Sequence, residues 1–179
     1  SDVCSSDLEP VWTLCEELGM PVNAHAGTGV PDAGNFDFST AIWTMEIPYF
    51  GHRPLWHMIM SGVFERHPNL KFVITEAGAS WAVGVLRQLD GLHMRMQMGR
   101  TGEVGFNPDV ALPMKPSEYF ARQCFISADP DEISIPGIVQ VMGDDTLLFA
   151  SDYPHPDGLF PGVVAEMTER KDLSERTKA

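Results

Sequence analysis

The sequence predicts an α/β fold on a parallel sheet, and three observations carry the prediction. Short apolar runs of strand length, at 21–25, 71–75, 124–129 and 146–151, alternate with longer stretches of helical period. No tight hairpin turn joins any two of these strands. His25, Glu76, Asp129 and Asp152 each stand at the carboxyl end of a different strand, the usual place for polar residues in barrel active sites. Four strand–helix units fit an open doubly wound sheet or half of an eight-stranded barrel. The strand-end residues favour the barrel, so the expectation is a partial TIM-type (β/α)8 barrel of about four βα units. A full barrel needs roughly 250 residues, and this chain would be its second half.

In chain order, Glu9 to Leu18 carries apolar residues at 11, 12, 14, 15 and 18, a helical stripe stopped by Gly19. Pro21 to His25 is a short strand that places Asn23 and His25 on one face and Val22 and Ala24 on the other. Residues 27–52 are rich in Gly, Pro and aromatics, and read as one long connection lining or covering a pocket. Arg53 to His67 reads as a single helix with Pro54 in its first turn, ended by Pro68. Lys71 to Thr75 is the next strand, followed directly by Glu76. Ser80 is the expected cap of a long helix whose stripe runs Trp81, Val85, Leu89, Leu92 and Met96. Residues 99–113 read as loop, 117–123 as a short helix, and Cys124 to Asp129 as the third strand. A weak helix over 133–142 precedes the fourth strand, Thr146 to Ser151, taken as buried on both faces. From about Pro161 the chain turns helical again, and Ser174 caps a final turn.

Of the 179 residues, 44% are hydrophobic and 21% charged, as in an ordinary globular domain. The net charge of −13, with only twelve scattered Lys and Arg, argues against nucleic acid or an anionic membrane as partner. No run of eighteen apolar residues occurs. The three cysteines, at 4, 15 and 124, show neither disulfide nor zinc-ribbon spacing, which fits a reducing compartment and a cytoplasmic location. Residues 1–8, SDVCSSDL, match the translated read-through of a common sequencing adapter. They are expected to be a scar, with residues 9–179 forming one domain cut at both ends.

Parallel strands bring their carboxyl ends to one face, so His25, Glu76, Asp129 and Asp152 are expected to share a neighbourhood. Imidazole with carboxylate is ligand chemistry for zinc and similar divalent ions. Such an ion lowers the pKa of bound water to about 7, and a carboxylate beside it can serve as general base. His25 and Asp152 make only two ligands where zinc sites use three or four, and no His-x-His pair is present. A barrel glycosidase using Glu76 and Asp152 as its carboxylate pair leaves His25 unexplained. An inert half-barrel with two open sheet edges is the third reading.

The segments AHAG at 24–27, SGVFERHPNLKFVITEAGASW at 61–81, LPMKPSEYF at 112–120 and ASDYPHPDG at 150–158 together resemble the amidohydrolase-related family of metal-dependent enzymes. Its better-known members include aminocarboxymuconate-semialdehyde decarboxylase and gamma-resorcylate decarboxylase. The resemblance implies an eight-stranded barrel holding one divalent ion, zinc or alternatively manganese, and a hydrolase or carboxy-lyase activity on a small carbonyl or carboxylate substrate. It places His25 on the fifth-strand metal position and Asp152 on the eighth, and a His-x-His pair on a strand preceding this chain. Glu76 stands where the decarboxylases carry a catalytic His, a departure that changes the proton bookkeeping. His155, three residues after Asp152, is the expected compensating group. The resemblance also implies a homodimer for the full-length parent.

Overall fold

The computed structural model describes residues 6–27, 29–156, 158 and 160–179. Residues 1–5 of the expected scar lie outside the described residues, as do Thr28 of the long connection and Asp157 of the 150–158 motif. Ser6–Leu8 form a single 3-10 turn that runs into α1, Glu9–Glu17.

Four parallel strands form the main sheet: β1 (Val22–His25), β2 (Phe72–Thr75), β5 (Cys124–Ala128) and β6 (Leu147–Phe149). They stand in the sequential order β1-β2-β5-β6. The register aligns Val22 with Phe72 and Cys124, and Ala24 with Ile74, Ile126 and Leu147. Period two then sorts the faces. Phe72, Ile74, Cys124, Ile126 and Ala128 are buried against helices α3 (Pro54–Met60), α4 (Val63–Arg66), α5 (Ala82–Gln97) and α6 (Pro116–Gln123). Asn23, Val73, Thr75, Phe125 and Ser127 point to the other face, which carries no helix layer and stays half-buried or exposed.

The amino-terminal side of the sheet is tied by polar groups. Gln123 is fully buried, and its Nε2 donates to the carbonyls of His67 (3.0 Å) and Leu70 (2.9 Å). Its Oε1 accepts from Arg122, whose guanidinium also reaches the Phe64 carbonyl. Glu9 and Glu16 fasten α1 to α4 and to the turn after it. Glu9 accepts from Arg66 Nε (2.7 Å) and meets His67 Nε2 (3.0 Å), while Glu16 meets His67 Nδ1 (2.9 Å) and accepts from Asn69 N (2.7 Å).

Several elements differ from the sequence reading. The connection 27–52 contains a fourteen-residue helix, α2 (Ser39–His52), which runs through Pro48. Proline inside a helix costs about 3 kcal/mol, and here packing overrides it, with Gly51 and His52 buried and the His52 ring stacked on Trp81 at 4.2 Å. The single helix over 53–67 is two, broken at Gly62 in the left-handed region (φ 74°), where glycine ends helices without steric cost. Ser80 does not cap α5. The helix starts at Ala82, its cap position Trp81 makes no side-chain cap bond, and the loop before it is held by Glu132, which accepts from Ala79 N at 3.0 Å. The buried stripe of α5 is Ala82, Leu86, Leu89 and His93, rotated from the one expected.

Residues 99–113 are not all loop. They hold an antiparallel hairpin of β3 (Arg100–Thr101) and β4 (Val104–Gly105), turned at Gly102 (φ 58°), and a 3-10 turn Pro108–Val110. β6 is shorter than 146–151 and is an edge strand, so Leu148 and Phe149 are exposed rather than buried on both faces. The strands β1, β2 and β5, the helix α7 (Ile135–Met142) and the Ser174 cap of α9 (Glu175–Lys178) fall where the sequence puts them; α8 (Val163–Thr168) precedes α9.

Candidate metal centre

Each strand of the sheet delivers a side chain to its carboxyl end. At the end of β1, His25 Nδ1 lies 2.7 Å from the Ala26 carbonyl. A carbonyl only accepts, so Nδ1 carries the proton and Nε2 is the nitrogen presented outward. That Nε2 sits 3.0 Å from Glu76 Oε2. Glu76 follows β2 with φ 57°, and Asp152, beyond β6, has φ 56°. These are the only two non-glycine residues with positive φ among those described. The left-handed conformation costs about 1–2 kcal/mol for a residue with a Cβ, and such strain collects at functional sites.

Asp152 opens a tight loop. His155 N donates to the Asp152 carbonyl (2.8 Å), Gly158 N donates to the His155 carbonyl (3.0 Å), and His155 Nδ1 lies 3.2 Å from Asp152 Oδ2. Only glycine fits at 158: a Cβ there would stand 2.8 Å from the Asp152 carbonyl oxygen and 2.9 Å from that of Ser151. The outcome is a cluster in which one ligand atom each from Glu76, Asp152 and His155 lie within 4.8 Å of one another. Burial raises the Glu76 carboxyl above its ordinary value; nearby His25 pulls it down, and the hydrogen bond and charge of Asp152 push it up again. A cation placed among these groups would favour the ionised carboxylates.

The cluster forms part of the wall of a cleft of about 790 Å³. Trp43, Thr44, Ile47 and Pro48 of α2 make one side, and Glu76, Asp129, Asp131, Asp152 and His155 the other. No Lys or Arg is among the described residues that line it. α2 comes this close because of Gly51, where a Cβ would lie 3.1 Å from Ala26 Cα and 3.3 Å from Ala77 Cβ.

Of the residues singled out in the sequence, the structure thus brings Glu76, Asp152 and His155 together, sets His25 against Glu76, and puts Asp129 in the same cleft. The expected lining of the pocket by 27–52 holds for Trp43, Thr44, Ile47 and Pro48; sequence reasoning missed that this segment is helical, and it missed Glu132, which holds the loop after Glu76 from 53 residues away. Nothing local marks Glu132. The aromatics of 36–50 marked the wall, and Pro48 masked its helical form.

The sequence profile described as amidohydrolase matches residues 2–176. The chain belongs to the amidohydrolase family. Among relatives of this amidohydrolase chain, the 2-amino-3-carboxymuconate-6-semialdehyde decarboxylase of Dictyostelium discoideum is 30% identical over 172 residues, which cover 96% of this chain and 45% of that protein. An amidohydrolase structure from Mycobacterium avium subsp. paratuberculosis K-10 superposes with a TM-score of 0.73 at 26% identity, covering 98% of this chain and 44% of that one. A 5-carboxyvanillate decarboxylase from Novosphingobium aromaticivorans, solved with bound manganese and a nitrobenzoic acid, superposes with a TM-score of 0.74 at 21% identity, covering 99% and 50%. The amidohydrolase chain therefore spans about half the length of the proteins it matches. The named decarboxylases are enzymes, and family membership leaves no support for the glycosidase reading. Among the described residues, no helix is long and apolar enough to cross a membrane.

Proposed function

We propose that this chain is the carboxyl-terminal half of a (β/α)8 barrel, and that it supplies part of the metal site of a hydrolase or carboxy-lyase acting on a small carbonyl or carboxylate compound. Sequential order in an all-parallel sheet and a span of about half the matched relatives support the half-barrel. The observation that carries the function is the meeting of Glu76, Asp152 and His155, with His25 against Glu76, at the carboxyl ends of separate parallel strands. The decarboxylase names among the relatives favour the carboxy-lyase.

The donor set fits a divalent ion, zinc or manganese, since both take imidazole and carboxylate. When bound, such an ion supplies Lewis acidity, acidifying a water and polarising a substrate oxygen. His25 and Asp152 are the residues that would hold it. The Ala26 carbonyl fixes the His25 tautomer so that Nε2 faces the site. Glu76 carries the proton: it stands 3.0 Å from His25 Nε2, and burial raises its carboxyl above the ordinary value. His155, oriented by Asp152 Oδ2, presents its other ring nitrogen as a second proton carrier or as a hydrogen-bond donor to the substrate. Trp43, Ile47 and Pro48 give the cleft an apolar side for the substrate's carbon frame. The parent is read as a homodimer, and the free thiols of Cys15 and Cys124 favour the cytoplasm.

The test is metal content, by elemental mass spectrometry, of the barrel completed with its amino-terminal half. Parent, His25→Ala, Asp152→Ala and Glu76→Gln are compared. About one ion per chain is expected in the parent and in Glu76→Gln, and none in the other two. A folded, metal-free parent would overturn the mechanism. Loss of the ion in Glu76→Gln would make Glu76 a ligand rather than the proton carrier.

A further inference from the structure

One buried histidine has no part in the proposed metal centre, and it belongs to the helix that walls the cleft. His52 closes α2, whose Trp43, Thr44, Ile47 and Pro48 line one side, and it is 6% exposed. Its ring lies nearly flat on Trp81, at 4.2 Å and 13°, with Tyr49 and Trp56 edge-on at 5.7 and 5.6 Å. Its Nδ1 is buried and makes no hydrogen bond among the described residues. A buried polar atom left without a partner costs about 1–3 kcal/mol. A phenyl ring would stack in the same place without that cost, so what the imidazole adds is a site for a proton.

The stack fastens the wall. Gly51 and His52 are the buried residues of α2, and Pro48 removes one backbone hydrogen bond from the helix, so packing of the last turn keeps it in place. Gly51 meets Ala26 and Ala77. Beneath His52, Trp81 Nε1 donates to the Gly78 carbonyl at 2.7 Å, which ties α2 to the loop that begins with Glu76. The groups facing the His52 ring are Tyr49 of α2, Trp56 of α3 and Trp81 of α5, and Tyr49 alone of these titrates. Burial holds the imidazole below its ordinary 6.5, the Pro48 backbone carbonyl offsets part of this, and no charged side chain contributes. The packed form therefore binds the proton more weakly than a form with the ring exposed, and proton uptake favours the exposed form. Attraction of a cation to the Trp81 face, about 0.5–2 kcal/mol, opposes this. It is outweighed because burying a charged N–H without a hydrogen bond costs more than the 1–3 kcal/mol of a neutral group.

We infer that His52 is the positioning residue of the cleft wall and its proton-controlled latch. With the ring neutral, α2 stays stacked on Trp81 and the wall stands closed across from Glu76. With the ring protonated, the stack releases, the last turn of α2 lifts from Ala26 and Ala77, and Trp43 and Ile47 move away from the strand ends. One proton sets the state, so the ratio of open to closed forms changes by up to about tenfold per pH unit. The open cleft exchanges its contents, and the closed one holds Trp43 and Ile47 against the carbon frame of its substrate. The inference rests on reading the cleft as the substrate site. Its test uses neither metal nor substrate, so a failure would leave the metal-content test of that reading standing.

The experiment is fluorine NMR on the completed barrel labelled with fluorotryptophan, in chelator, from about pH 8 down to about pH 5, with the Trp43 resonance identified by its loss in Trp43→Phe. That range lies above the one in which Glu9 and Glu16 lose their hold on α1. In the parent the Trp43 resonance is expected to move in a single-proton transition with its midpoint below 6.5. Acrylamide quenching of Trp43 emission in unlabelled protein, taken against Trp43→Phe, should rise with it. The ring proton signals of His52 should titrate at the same midpoint, a comparison that needs no substitution at the latch. His52→Phe keeps the stack, takes up no proton, and should hold the closed signal throughout. A transition that survives in His52→Phe would belong to cleft groups such as Glu76, Asp131 or His155 and would overturn the inference. So would a parent with no transition over this range, a Trp43 resonance that stays fixed while His52 titrates, or a His52 that titrates at or above 6.5.

Discussion

Replacing Gly158 with Ala tests whether the Asp152–Gly158 loop holds the proposed metal centre in shape. The new Cβ would stand 2.8 Å from the Asp152 carbonyl oxygen, 2.9 Å from that of Ser151 and 3.0 Å from the Asp152 carbonyl carbon, against an ordinary contact of at least 3.4 Å. All three atoms are backbone, so no side chain can swing aside, and the loop must open by about 0.6 Å at its narrowest contact. That displacement falls on the residue whose carbonyl accepts from His155 N and whose carboxylate meets His155 Nδ1. Metal–ligand distances tolerate about 0.2 Å, so the displacement exceeds what a ligand set absorbs. Loss of supporting interactions around a metal costs about 10- to 100-fold in affinity, and a weakening of that size is expected in a manganese titration by calorimetry. Gly84→Ala is the control. Its Cβ meets nothing within 4 Å in the interior of α5, so it should leave the affinity alone and stabilise the fold by about 1 kcal/mol. If Gly158→Ala bound manganese as tightly as the parent, the loop would not be what positions Asp152, and the geometric argument for the site would fail.

Other substitutions probe the frame around the site. Gln123→Leu leaves the His67 and Leu70 carbonyls without their donor and should lower stability by about 2–4 kcal/mol in urea unfolding; a change below about 1 kcal/mol would mean that water or a shifted neighbour replaces it. Gly51→Val drives a branched side chain against Ala26 and Ala77. It should cost about 1–3 kcal/mol by overpacking and lift α2 off the strand ends, seen as a change in Trp43 fluorescence against a Trp43→Phe reference. The Arg66 guanidinium bonded to Glu9 holds that carboxyl at about 2 against an ordinary 4.5, and the backbone N–H of Asn69 holds Glu16 low as well. Both groups bind protons more weakly folded than unfolded, so the stability they confer is present above about pH 4.5 and is lost as the pH falls toward 2. Emission from Trp12, buried under α1, reports that loss, and Glu9→Gln should flatten its acid limb; an unchanged limb would show that α1 is held by other contacts.

What the sequence discloses and what it hides divide along a physical line. β1, β2 and β5 are legible because their apolar residues and the turns that bound them are neighbours in the chain. The sharing of a face by His25, Glu76, Asp129 and Asp152 is legible because parallel topology leaves no other arrangement for strand ends. Where the sequence misleads, the deciding partner lies far along the chain. α2 survives Pro48 because Gly51 fits against Ala26 and Ala77 and His52 stacks on Trp81, and an intact helix with a proline in it looks locally like a broken one. Ser80 is the better cap by residue type, yet the loop is held by Glu132 from the far side of β5. β6 has the composition of a buried strand and stands at an edge, because composition reports what a strand is built to touch and not whether the neighbour is there.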